Sequence, residues 1–142
     1  MHAAPEAGLS PTEAAELLRG NGINPTQQRT DIAVFLLGAP RHVCADTLLE
    51  WTNQRGGGIS KATIYNTLRL FAAHGLLREV IVEPTKTFYD SNTGPHHHFY
   101  DAELGELTDI APQEINLGRL PAPPAGSHIN HVDVVVRVSR KR

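Results

Sequence analysis

The stretch SKATIYNTLRLFAAHGLLREVIVEPTKTFYD, residues 60–90, decides the fold. Its first half places Ile64, Leu68, Phe71 and Ala72 at the spacing that lines one face of a helix. Ser60 stands where an N-cap is wanted, and Gly75 where the chain must leave the helix. Directly behind it, LLREVIVE and TKTFYD read as two short strands, turned at Glu83–Lys86 with Pro84 as the breaker. The polar residues that the helix keeps off its apolar stripe are Lys61, Thr63, Tyr65, Asn66 and Arg69.

Upstream, the same local signals repeat. In SPTEAAELLRGNG, Ser10 can cap, Pro11 suits the first helical position, Glu13 completes a capping box, and Gly20 or Gly22 can stop the helix. Thr26 caps a second helix whose Ile32, Phe35 and Leu36 share a face, with Pro40 closing it. CADTLLEWTNQRGGG reads as a third helix halted by glycines. Helices followed by a hairpin over residues 1–90 give the layout of a winged helix-turn-helix. On a reading helix, Tyr65 and Thr63 can touch thymine methyls, Asn66 can read adenine, and Lys61 or Arg69 can take phosphate or guanine. Ser60 sits at that helix's start, and Arg29 can hold phosphate beside the N-terminus of the second helix. An amphipathic helix with a merely wet polar face has the same pattern; the hairpin placed as a wing favours DNA.

SNTGP, residues 91–95, has the composition of a hinge, and residues 96–142 differ in kind. HHHFYDAELGELTDI reads as two strands about a turn near Gly105, PQEINLGRL as a short helix, and PAPPAG as a stiff connector. SHINHVDVVVRVSRK is predicted to form a final strand with Val132, Val134, Val136 and Val138 on one face. An α/β unit of about fifty residues is too small to be stable alone, which points to a homodimer. The fold class expected is α+β: a winged helix-turn-helix followed by a small α/β dimerisation domain.

Bulk properties narrow the partners. The chain of 142 residues carries 13 basic and 15 acidic side chains, for a net charge of −2, so any DNA binding must come from a local patch. A single cysteine, Cys44, excludes a disulfide framework and a zinc ribbon built of cysteine pairs. The first residues lack a secretory pattern, and no apolar run reaches membrane-spanning length. A cytoplasmic protein with no membrane partner is expected.

The motifs PTQQR, RHVCADTLL, SKATIYNTLRLFAAHGLL, TKTFYD, HHHFY and NHVDVVV together resemble the ferric uptake regulator superfamily of metal-dependent transcription regulators, over about residues 10 to 140. Within it, YNTL, TKTFYDSN, the histidine run and the ending VDVVVRVSRKR are most similar to the iron response regulator branch of alphaproteobacteria. The resemblance implies a homodimeric repressor of iron and haem genes that binds a palindromic operator on double-stranded DNA. It also implies a regulatory metal at the hinge. Carried over, that site falls on His42, Asp90, His96, His98 and Asp109. Imidazoles and carboxylates without a thiolate suit Fe(II), Mn(II) or Zn(II). His96 and His98 point to one side of a strand and His97 to the other. Replacing Asp90 is then expected to weaken metal binding and leave the fold intact. A second metal or haem site is implied at His97, Glu114 and His131; His2, His74 and His128 read as surface residues. Where many relatives begin a C-x-x-C pair this chain has Asp101 and Leu104, so a cysteine-based structural zinc is excluded. Cys44 reads as a stand-in for a capping serine. A peroxide sensor of the same superfamily, in which iron chemistry oxidises His42 or His96, is the nearest alternative. A metalloenzyme is remote, because the ligands largely fill the coordination sphere and no nucleophile motif is present.

Overall fold

In the computed structural model, residues 8–141 are described. Helix α1, Pro11–Gly20, begins with a complete capping box: Ser10 Oγ accepts from the Glu13 amide at 3.1 Å, and Glu13 Oε1 accepts from the Ser10 amide at 3.0 Å. These bonds hold the Glu13 carboxyl below its ordinary pKa. The chain turns away through Gly22, whose φ of 77° lies in the left-handed region. Thr26 caps α2, Gln27–Leu36. That helix stops before Pro40 is reached, and Arg41 Nη1 donates to the Phe35 carbonyl at 2.6 Å near its end.

A three-residue strand β1, His42–Cys44, follows, which the sequence did not announce. It leads into α3, Ala45–Gln54, and then α4, Lys61–Ala73, which Ser60 caps. The hairpin is β2, Arg78–Glu83, and β3, Lys86–Asp90. The strands lie in the order β1-β3-β2. The four helices and this sheet close on Leu18, Ile32, Leu36, Leu48, Ile64, Leu68 and Phe71, all fully buried. Removing those side chains from water is the main term holding the unit together, at about 1.5–3 kcal/mol for each large one.

Backbone contacts divide the chain between Thr93 and Gly94. Ser91, the first residue of the expected hinge, belongs with the preceding unit. Its amide donates to the Arg41 carbonyl at 2.8 Å, and its hydroxyl donates to the Ala39 carbonyl at 2.8 Å.

The second unit is a three-stranded sheet in the order β5-β4-β6, with β4 His97–Asp101, β5 Glu106–Ile110 and β6 Val135–Val138. β4 and β5 are antiparallel around Gly105, which takes φ 68°; β6 runs parallel to β4. Two expectations fail here. The helix predicted over PQEINLGRL is only a 3-10 turn, Pro112–Glu114. Ile115 is already extended, Gly118 has φ 63°, and none of residues 112–120 is buried, so no core rewards a longer helix. The final strand pairs over four residues only, because its register ends where β4 ends, at Asp101↔Val138. Its Val136 and Val138 remain exposed, with Phe99 of β4 exposed and in register with Val136. No helix among the described residues is long and apolar enough to cross a membrane.

Candidate metal centre and nucleic-acid surface

Asp109 of β5 is the cross-strand partner of His98 on β4, and such partners share a face of the sheet. His96 lies two residues before His98 and reaches the same side. The result is a convergence of donors: His98 Nε2 stands 3.4 Å from Asp109 Oδ1, and His96 Nε2 stands 3.7 Å from the same oxygen. The two imidazole rings meet edge to face at 4.5 Å between centroids. Both histidines are buried, while the Asp109 side chain is half exposed.

One further contact fixes the chemistry. His96 Nδ1 is 2.8 Å from the Gly94 carbonyl, which can only accept, so Nδ1 carries the hydrogen and Nε2 of the neutral ring presents its lone pair. That lone pair faces a carboxylate oxygen, an arrangement that a cation bound between the two would stabilise. The separations exceed hydrogen-bond length. They are close to the ~3.4 Å edge of a tetrahedron whose ligands sit about 2.1 Å from a central ion. A backbone carbonyl that orients the imidazole from behind is the usual support of a metal-binding histidine. The His/Asp group can therefore hold a divalent ion, and its lack of thiolate favours iron, manganese or zinc.

The first unit holds the other two expected ligands side by side. Asp90 closes β3, and its register partners are His42 on β1 and Arg78 on β2. The Asp90 carboxylate is buried and accepts the Asn92 amide at 2.9 Å. His42 is half-buried, edge-on to the Phe88 ring at 6.3 Å. Burial depresses the Arg78 guanidinium from its ordinary pKa, and the charge of Asp90 opposes that shift. Neither Arg78 nor the Gly94 carbonyl was singled out from sequence; only strand register reveals them.

The structure uses the second expected set differently. His97 is buried, and its Nδ1 accepts the Val134 amide at 3.1 Å, tying β4 to the approach of β6. Its neutral ring then carries the hydrogen on Nε2, so ligation would require that bond to be given up. His131 Nε2 pairs with Asp133 at 3.2 Å, and Glu114 is exposed on the 3-10 turn. Among the described residues, no group of three such ligands gathers around His97, Glu114 and His131. His74 and His128 are exposed; His2 lies outside the described residues. Asp101, at the position of the missing cysteine pair, is buried, accepts the amides of Glu103 and Leu104 at 3.0 and 3.1 Å, and pairs with Arg140. Cys44 is the N-cap residue of α3 but makes no cap bond to the backbone; its Sγ meets Thr47 Oγ1 at 3.3 Å.

On α4, Lys61, Asn66 and Arg69 are exposed, while Thr63 and Tyr65 are half-buried. The Ser60 hydroxyl is engaged with Thr63, accepting its amide at 3.2 Å and donating to its hydroxyl at 2.9 Å. Arg69 places its guanidinium 5.8 Å from the Tyr65 ring. Two hollows flank the helix. One, of about 310 Å³, is bordered by Thr63 and Asn66 on one side and Thr26, Gln28 and Arg29 on the other. The other, of about 590 Å³, lies between Tyr65 and Arg69 and the hairpin. Arg29 is held at the start of α2 by its Nη1 bond to the Asn24 carbonyl at 2.9 Å.

Residues 20–136 match the ferric uptake regulator family. The peroxide-responsive repressor PerR of Staphylococcus aureus (strain Mu50) is 32% identical over 104 residues, 73% of this chain and 70% of that protein. PerR of Staphylococcus saprophyticus is 34% identical over 93 residues, 66% of this chain and 63% of that protein. Among solved structures, the ferric uptake regulator from Pseudomonas aeruginosa with manganese superposes with a TM-score of 0.67 at 23% identity, covering 91% of this chain and 98% of that one. The Vibrio cholerae ferric uptake regulator gives 0.69 at 20% identity, covering 89% and 98%. At these identities the likeness to the solved structures is one of fold.

Proposed function

The chain belongs to the ferric uptake regulator family, and on that premise we propose that it is a homodimeric, metal-responsive repressor that reads DNA through α4 and senses metal through His42, Asp90, His96, His98 and Asp109. The observation that carries the sensing role is the locked tautomer of His96, whose Nε2 lone pair is aimed at the oxygen that His98 also faces. His42, Asp90, His96, His98 and Asp109 would hold a divalent ion, whose charge would offset the carboxylates. Ligands drawn from both units would restrict how the units are arranged, and DNA affinity can change only by the difference in metal affinity between arrangements, typically 1–3 kcal/mol. Arg29, Lys61, Thr63, Tyr65, Asn66 and Arg69 are the side chains offered to the duplex, with Ser60 acting on it through the helix cap. The exposed Phe99, Val136 and Val138 are the surface offered to a second copy. The protein acts in the cytoplasm as a regulator rather than an enzyme.

Two signals are open to such a site. Control of iron and haem genes is supported by the resemblance of the recognition helix and histidine run to the iron response regulator branch. Peroxide sensing is supported by the names of the staphylococcal relatives. Direct haem ligation by the run is disfavoured by burial: His96, His97 and His98 are 4%, 7% and 1% exposed.

The test starts with DNA selected from a random pool by the purified protein, titrated by fluorescence anisotropy with chelator, with Mn(II) and with haem. Affinity that responds to Mn(II) in wild type but not in His98→Ala supports the metal role; equal affinity in all conditions defeats it. Peptide mass spectrometry of the iron-loaded protein after peroxide then separates the two signals. An oxygen added to the His42 or His96 peptide selects peroxide sensing, and unmodified peptides select iron.

A further inference from the structure

Lys61 is the first residue of α4, and Asp46 is the second residue of α3. Lys61 Nζ lies 3.2 Å from Asp46 Oδ1, with the two side chains 58% and 72% exposed. An ion pair this exposed to solvent and screening adds little to a fold, so stability does not account for it. The aspartate is favoured where it stands, in the first turn of α3, whereas a lysine at the start of α4 faces the positive end of its own helix dipole. The hydrogen bond that the ammonium donates to the Asp46 carboxylate, and then the charge of that carboxylate, raise the Lys61 pKa, so the cation is already neutralised locally.

We propose that Asp46 is a positioning residue for DNA binding: it holds the Lys61 ammonium against α3 and competes with phosphate for it, so that Lys61 adds little to sequence-independent affinity. This rests on α4 being the DNA-facing helix. Non-specific binding comes almost wholly from cations neutralising phosphates, each contact steepening the dependence of log K on log salt by about 0.9. A lysine paired with a carboxylate brings no net charge to the duplex. Freeing it restores one unit of charge at the entry of the reading helix, where a mismatched sequence would gain as much as the correct one. The pair thus limits attraction to arbitrary DNA and leaves discrimination to base contacts along α4.

The experiment uses the full chain as wild type, Asp46→Asn, Lys61→Ala and the double variant, titrated with a fluorescein-labelled duplex of arbitrary sequence across a range of KCl. Asp46→Asn is expected to bind that duplex more tightly at low salt with a slope steeper by about 0.9, so that its advantage shrinks about eightfold per tenfold rise in salt. In the Lys61→Ala background the same substitution should leave the slope unchanged. A slope that does not move in Asp46→Asn, while wild type binds DNA, overturns the proposal alone. The same gain with Lys61 absent also overturns it, because Asp46 would then act as a bare negative charge. Failure of wild type to bind any duplex at low salt removes the DNA-facing assignment of α4 as well.

Discussion

Replacing Asp90 should destabilise the apo protein, contrary to what the sequence suggests for a residue assigned only to metal. Asp90 is 1% exposed and sits in register with Arg78, which is 9% exposed. The charge of Asp90 acts on the Arg78 guanidinium and opposes the effect of its burial. Breaking a buried pair by removing one partner typically costs about 3–5 kcal/mol. The residual exposure of Arg78 places Asp90→Asn at the lower end, about 3 kcal/mol. Asp90→Ala also loses the acceptor of the Asn92 amide, adding about 1 kcal/mol. Urea unfolding followed by tryptophan fluorescence, in chelator, reads this directly. Trp51 lies in the core of the same unit. At a slope of about 1.5 kcal/mol/M the midpoint of Asp90→Asn should fall by about 2 M. The double variant Arg78→Met/Asp90→Asn should recover much of the loss. Midpoints within about 0.3 M of wild type for both single variants, or a double variant equal to the sum of the singles, would refute the ion-pair reasoning.

His98→Ala or Asp109→Asn should weaken Mn(II) binding by at least about tenfold in competition with a chromogenic chelator. His97→Ala should leave that affinity within a few-fold but speed hydrogen exchange at the Val134 amide, whose acceptor it removes; a large loss of metal affinity in His97→Ala would make it a ligand. Tyr65→Phe should keep selected-DNA affinity near wild type, whereas Tyr65→Ala should lose about 1–3 kcal/mol, as measured by anisotropy; equal losses would assign the contact to the hydroxyl. Asp101→Ala strips the acceptor from the Glu103 and Leu104 amides and the partner from Arg140. It should destabilise the second unit by about 1–3 kcal/mol, and added zinc should not restore it in a thermal melt.

What the sequence determined by itself is local. Ser10, Thr26 and Ser60 cap their helices because an N-cap bond closes within three residues, and the capping box at Glu13 is legible for the same reason. The β2–β3 turn around Pro84 needs only the residues beside it. The apolar stripe of α4 is a period that a reader can count, and Ile64, Leu68 and Phe71 are buried accordingly. The likeness of whole motifs carried the candidate ligands further than periodicity could.

The tertiary structure decided everything that depends on register. β1 is three residues long, too short to show alternation, yet its pairing with β3 sets His42, Asp90 and Arg78 in one row. Asp109 meets His98 because β5 returns along β4 at one offset, and a slip of one residue would turn the carboxylate to the opposite face. The Gly94 carbonyl, which fixes the His96 tautomer, leaves no mark on side-chain sequence at all. The same is true of His97, whose ring nitrogen accepts an amide thirty-seven residues along the chain. Helix caps and turns are written within a few residues, where the chain's own geometry enforces them. Which strand lies beside which is a competition among distant partners that only the packed fold resolves.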